Sequence, residues 1–96
     1  MKKQYDDNNV FAKILREEIP CKKVYENEYA LSFEDINPQA PVHVLVIPKG
    51  KYLSVADFSE SASDIEIVGL IKAIGETSEK LGLNADGYRI LSNAGT

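Results

Sequence analysis

Two proline-preceding positions, Asn37-Pro38 and Ala40-Pro41, lie between two apolar runs and forbid a helix from passing through the middle of the chain. Asp35 to Pro41 is therefore expected to be a stiff, ordered connection between extended segments. Before it, Tyr29, Leu31 and Phe33 alternate with Ala30 and Ser32, the period of a half-buried strand. After it, Val42 to Ile47 is apolar on both faces, which predicts a strand in a central position, ended by Pro48 and Gly50.

The flanks fill in around this pair. Lys22 to Tyr25, joined to Tyr29–Phe33 by the polar turn Glu26-Asn27-Glu28, completes a β-hairpin. From Val10 to Ile19 the residues Val10, Phe11, Ile14, Leu15 and Ile19 form one stripe at helical spacing, with Asn8 or Asn9 as N-cap and Pro20 as the stop. A connection runs through Tyr52 to Phe58. Ser63-x-x-Glu66 then offers a capping box to a long helix whose face carries Ile67, Leu70, Ile71, Ile74 and Leu81, with Gly82 as its stop. Asn84 to Gly87 predicts a turn, and Tyr88 to Ser92 a further strand with Arg89, Leu91 and Asn93 on one side. This order predicts an α+β fold: an antiparallel sheet with a long helix on one face and a short N-terminal helix. Residues 1–9 are expected to be a flexible arm, and 10–96 one domain, the size that 96 residues allow.

Composition narrows the function. The net charge is −4, and the lysines are scattered, which argues against nucleic acid as a partner. The longest apolar run, Val44 to Ile47, is too short to span a bilayer, and no apolar stretch follows Lys2-Lys3, so no membrane partner is expected and the cytoplasm is the expected compartment. Cys21 is the one cysteine and His43 the one histidine, so neither a disulfide framework nor a metal site is expected. No glycine-rich phosphate loop is present.

Three places carry candidate chemistry, each with a plainer reading beside it. His43, inside an apolar strand, is either a hydrogen-bonded structural residue or part of a site. Glu34-Asp35 ends a strand before a rigid loop, where function often sits, yet Asp also caps such loops. Asn93 is either a ligand donor or a turn former beside Ala94-Gly95. Phe11, Ile14 and Phe33 are core residues by default.

Several ordered segments resemble the histidine triad (HIT) family, in its Hint-like branch. Val10-Phe11-Ala12-Lys13-Ile14-Leu15-Arg16-Glu17-Glu18-Ile19-Pro20 is similar to its opening helix, and Ala30 through Lys49 to its most recognisable non-catalytic motif. Gly87-Tyr88-Arg89-Ile90-Leu91-Ser92-Asn93-Ala94-Gly95 is similar to its penultimate strand. The resemblance implies a homodimer that binds purine nucleotides and acts at the α-phosphate, notably on nucleoside phosphoramidates, with no cofactor. It implies that Phe11, Ile14 and Phe33 line the base pocket, that Asp35 accepts hydrogen bonds from ribose hydroxyls, and that Asn93 lies near ribose and phosphate. His43 resembles the upstream histidine that helps to orient the triad.

In the family a His-x-His-x-His segment follows this last motif, its middle histidine attacking phosphorus and a neighbour helping the leaving group depart. The sequence here stops at Thr96, so the triad-bearing strand is expected to be missing and phosphoramidate hydrolysis by this chain negligible. Some bacterial relatives carry a Cys-x-x-Cys zinc element where this chain has Asn9, Val10, Phe11 and Ala12, so no zinc is expected. One alternative is a catalytically inactive nucleotide-binding or dimerisation module. Another is an unrelated α+β regulatory domain.

Overall fold

The computed structural model describes residues 4–35 and 41–94. Their elements run α1 (Val10–Leu15), β1 (Lys23–Glu26), β2 (Ala30–Glu34), β3 (Val44–Pro48), α2 (Val55–Ser61) and α3 (Asp64–Lys80). The strands form one antiparallel sheet in the order β1-β2-β3. The α+β architecture expected from the element order is the one observed. The expected connection through Ile36–Ala40 lies outside the described residues.

β2 is the centre of the sheet because its alternation serves two layers. Leu31 and Phe33 point to one face, where they pack with Ile14 of α1 and with Leu15, Ile19, Cys21, Leu45 and Ile47. Ser32 points to the other, where its hydroxyl accepts a 2.8 Å hydrogen bond from Thr77 of α3. Ala30, Leu31, Ser32 and Phe33 are all buried.

The long helix begins as its capping box dictates: the Ser63 hydroxyl accepts from the Glu66 N–H, and the Glu66 carboxylate accepts from the Ser63 N–H. It ends at Gly82, whose φ of +70 suits glycine. There the N–H groups of Gly82 and Leu83 donate to the carbonyls of Glu79 and Ser78. The face turned to the sheet differs from the apolar one expected. Gly69, Ala73 and Thr77, at i, i+4 and i+8, are buried, while Ile71 is 62% exposed. Small side chains win that face because the helix lies close: Asn27 donates to the Gly69 carbonyl at 2.9 Å, and Tyr29 packs directly on Gly69.

Four further differences separate expectation from structure. α1 stops at Leu15 rather than Ile19, and the turn after it places Glu17 at φ 63, where the N–H groups of Glu17 and Glu18 close the helix on the Ile14 and Lys13 carbonyls. Residues 55–61, read as connection, form α2, capped by Ser54 and anchored through Phe58 alone, which is too little apolar periodicity to show in sequence. β3 stands at an edge instead of a central position, half-buried along its whole length, since β2 is its one partner among the described residues. Tyr88–Ser92 joins no strand ladder among the described residues, with Tyr88, Ile90 and Leu91 exposed. A strand needs a ladder as well as a suitable pattern.

Candidate functional site

The β2–β3 register sets the site. Phe33 pairs with Leu45 and Glu34 with Val44, and one step further the Asp35 N–H donates to the His43 carbonyl at 3.0 Å. Asp35 and His43 thus extend the ladder by one rung and stand directly opposite one another. Cross-strand partners hold their Cβ atoms about 4.5–5.5 Å apart, and alternation puts this pair on the same face as Phe33 and Leu45. The carboxylate of Asp35 reaches the imidazole of His43 accordingly, with Oδ2 3.3 Å from Nδ1. Both side chains are part-buried, His43 30% and Asp35 19% exposed.

The apolar candidates gather on that same face. Phe33 and Ile14 are buried in contact within one cluster, and the rings of Phe11 and Phe33 lie tilted with centroids 6.4 Å apart. Phe11 is 40% exposed, so its ring forms the open rim of the cluster. Asn9 orients this rim by capping α1, its side-chain oxygen accepting from the Ala12 N–H at 2.9 Å. Asn93 lies in the exposed segment after Gly87, outside any described strand, with no hydrogen bond to the other candidates among the described residues.

Neither of two cavities formed by the described residues includes the Asp35–His43 pair. One of about 290 Å³, lined by Tyr5, Asn9, Phe11, Leu15, Ile47 and Tyr52 among others, shares only Phe11 with the six candidates. A second, of about 220 Å³, lies over Ile14 and Leu31, with Lys23, Glu26 and Lys49 at its border. Glu26 is held below the usual carboxylate range by hydrogen bonds from Lys49 and Lys23, at 2.7 and 3.0 Å. Glu26 is thus paired with both lysines, whereas Asp35 and His43 set a carboxylate and an imidazole side by side. Among the described residues no group of three or more His, Cys, Asp or Glu is disposed to hold a metal ion, and no helix is long and apolar enough to cross a membrane.

Sequence reasoning named each of these residues but not the Asp35–His43 contact. Their separation across a proline-containing connection hides it, and only the register sum, constant along β2 and β3, reveals it.

The sequence matches the family model of the HIT domain over residues 16–96, from the turn after α1 onward. The chain is 62% identical to an HIT-like protein of Azospirillum brasilense, across 99% of its own length and 78% of that protein's. It superposes on a HIT family hydrolase from Clostridium thermocellum with a TM-score of 0.84 at 40% identity, covering 94% of this chain and 77% of the other. It likewise matches a histidine triad nucleotide-binding protein from Candida albicans, with a TM-score of 0.78 at 30% identity over 90% of this chain and 62% of that one. The chain belongs to the HIT family.

Proposed function

We propose that this chain carries the nucleotide-binding part of a HIT-family protein that takes purine nucleotides and whose activity is hydrolysis or transfer at the α-phosphate of nucleoside phosphoramidates. The observation that supports it most is the Asp35–His43 pair on the sheet face that also carries Phe11, Ile14 and Phe33. An aromatic and aliphatic floor suits a purine ring, and a carboxylate at its edge suits a ribose diol, since it accepts hydrogen bonds at both oxygens. In this assignment Asn93 attends the ribose and phosphate, and His43 supports the reaction without being its nucleophile. The attacking histidine is assigned to no residue of this sequence, whose one histidine is His43.

The test is titration of the purified 96-residue chain with adenosine monophosphate, followed calorimetrically, with adenosine phosphoramidate turnover measured in parallel. Saturable binding without turnover is expected. Absence of binding with the chain folded would overturn the nucleotide reading, and turnover would overturn the assignment of the nucleophile outside these residues.

A homodimer is part of the same proposal. Ile65, Val68 and Ile71 form an exposed apolar stripe on α3, 57%, 49% and 62% accessible, on the side turned away from the sheet. A stripe of this kind is what a second copy would cover. Sedimentation equilibrium should show association that Val68→Glu weakens; a monomer at all concentrations would remove this part of the proposal. The other function in view, a catalytically inactive binding or dimerisation module, shares the binding and association results and differs only in requiring that no longer form of the protein turns over phosphoramidate.

A further inference from the structure

We infer that residues 4–8 form an ion-latched strap over the cavity beside Phe11, closed at low ionic strength through Asp7 and released as salt screens that contact. The inference rests on the proposed function only in giving Phe11 to the purine floor; the strap itself is a property of the fold.

The latch holds one residue between two posts. Asp7 Oδ1 stands 2.8 Å from Nζ of Lys51, just after β3, and the Asp7 carbonyl accepts from Arg16 Nη1 at 2.7 Å. Both posts are fixed from elsewhere. Arg16 is the C-cap of α1, and its guanidinium pairs with Glu18. Lys51 lies between Gly50 and Tyr52, and the Tyr52 ring packs on Gly50 and stands edge-on to Phe58, with centroids 5.0 Å apart. The Tyr52 hydroxyl donates to Glu66 of α3 at 2.8 Å. Within the strap, the Asn8 N–H donates to the Asp6 carboxylate at 2.9 Å and the Asn9 N–H to the Asp6 carbonyl at 3.0 Å, a turn that leads into α1 and sets Asp7 at its corner.

What the strap covers is apolar. Tyr5 lines the cavity of about 290 Å³ together with Phe11 and Leu15 of α1, Ile47 of β3, and Tyr52 and Leu53. With residues 4–8 lifted, the wall they form is gone, and Phe11, Leu15 and Ile47 meet water. Burial in the strap falls on Tyr5, which is half-buried, while Gln4, Asp6, Asp7 and Asn8 are exposed. A segment with so little buried surface opens locally at small cost in free energy. The latch is itself open to solvent, with Lys51 68% and Asp7 57% accessible, so salt weakens it. An exposed ion pair adds little to global stability, but the closing of a strap held by one half-buried ring is a balance small enough for it to tip.

Heteronuclear nitrogen-15 Overhauser effects of the strap amides read this order in the full chain. At about 20 mM salt the Tyr5 and Asp7 amides of wild type should be as ordered as those of α1, and at about 500 mM they should lose that order, as the Debye length shrinks from roughly 20 Å to roughly 4 Å. Lys51→Glu should lose it already at low salt, whereas Lys51→Arg, which keeps the charge, should retain it. The neutral dye Nile red reports the uncovered apolar surface, and its emission should rise in Lys51→Glu and stay at the wild-type level in Lys51→Arg. Wild-type strap amides as mobile at low salt as those of Lys51→Glu overturn the inference, as does a strap opened by Lys51→Arg. Loss of order with no gain in dye emission overturns the covering role. If Lys51→Glu does not fold, Lys51→Gln takes its place with the same outcomes required. Adenosine monophosphate titrated into the same samples separates the two proposals. A salt-released strap without nucleotide binding removes the function and keeps the strap, whereas binding with strap amides indifferent to salt and to residue 51 does the reverse.

Discussion

Gly69 of α3 sits against Tyr29 so closely that a Cβ built on it would stand 2.7 Å from the ring's Cδ2 and 2.8 Å from Tyr29 Cβ. Glycine within an exposed helix ordinarily costs about 1 kcal/mol relative to alanine. Here the helix–sheet contact reverses that preference. Gly69→Ala is expected to destabilise the chain by roughly 1–3 kcal/mol, the usual cost of forcing extra atoms into a packed interface. Urea denaturation of the two proteins measures it, and a more stable variant would show that α3 can stand off from Tyr29.

Glu17 presents the opposite case. It closes α1 in the left-handed region at φ 63, a role usually filled by glycine. The conformation costs a side-chain-bearing residue about 1–2 kcal/mol, while glycine adds back about 0.5–1 kcal/mol of unfolded-state freedom. Glu17→Gly should therefore raise stability by about 0.5–1 kcal/mol. Thermal unfolding decides the sign, and a lowered midpoint would mean that the carboxylate makes a compensating contribution.

Glu66 ties two elements together. Its carboxylate accepts from the Ser63 N–H and hydroxyl at 3.1 and 2.9 Å and from the Tyr52 hydroxyl at 2.8 Å. These bonds, the Ser63 backbone bond first, lower its pKa from 4.5. A depressed folded-state pKa means that the contribution is present above pH 4.5 and is lost as pH falls through the lower, folded value. Unfolding midpoints should therefore fall more steeply with acidification in wild type than in Glu66→Gln. Parallel pH profiles would discount the linkage.

Asp35→Ala is expected to weaken adenosine monophosphate binding by roughly 1–3 kcal/mol, the loss of a hydrogen bond to a charged acceptor. Circular dichroism should stay unchanged, since the Asp35 backbone bond to His43 survives the substitution. Equal affinity in the two proteins would return the pair to a structural role.

Phe33→Ala should cost about 3–5 kcal/mol, because the ring is 3% exposed and touches both the α1 cluster and Phe11. So large a loss is comparable with the whole stability of a small domain. The expected outcome is a far-ultraviolet spectrum of a largely unfolded chain at ambient temperature, and a folded variant would show that α1 repacks over the gap.

Sequence by itself determined the elements whose signals are local. The alternation of Tyr29–Phe33, the capping box at Ser63 and Glu66, the stop at Gly82 and the residue types of the candidate site are each complete within a few residues. Tertiary structure alone decided what depends on neighbours. Val42 to Ile47 reads as a central strand, yet the position of the strand observed there is set by which backbones pair with it, and Tyr88–Ser92 has strand composition without a described ladder. The inner face of α3 went to Gly69, Ala73 and Thr77 because the depth of helix–sheet contact is fixed by Tyr29 and Ser32, far away in sequence. Asp35 meets His43 for the same reason: a hydrogen-bond register is a relation between two segments, and neither segment encodes it alone.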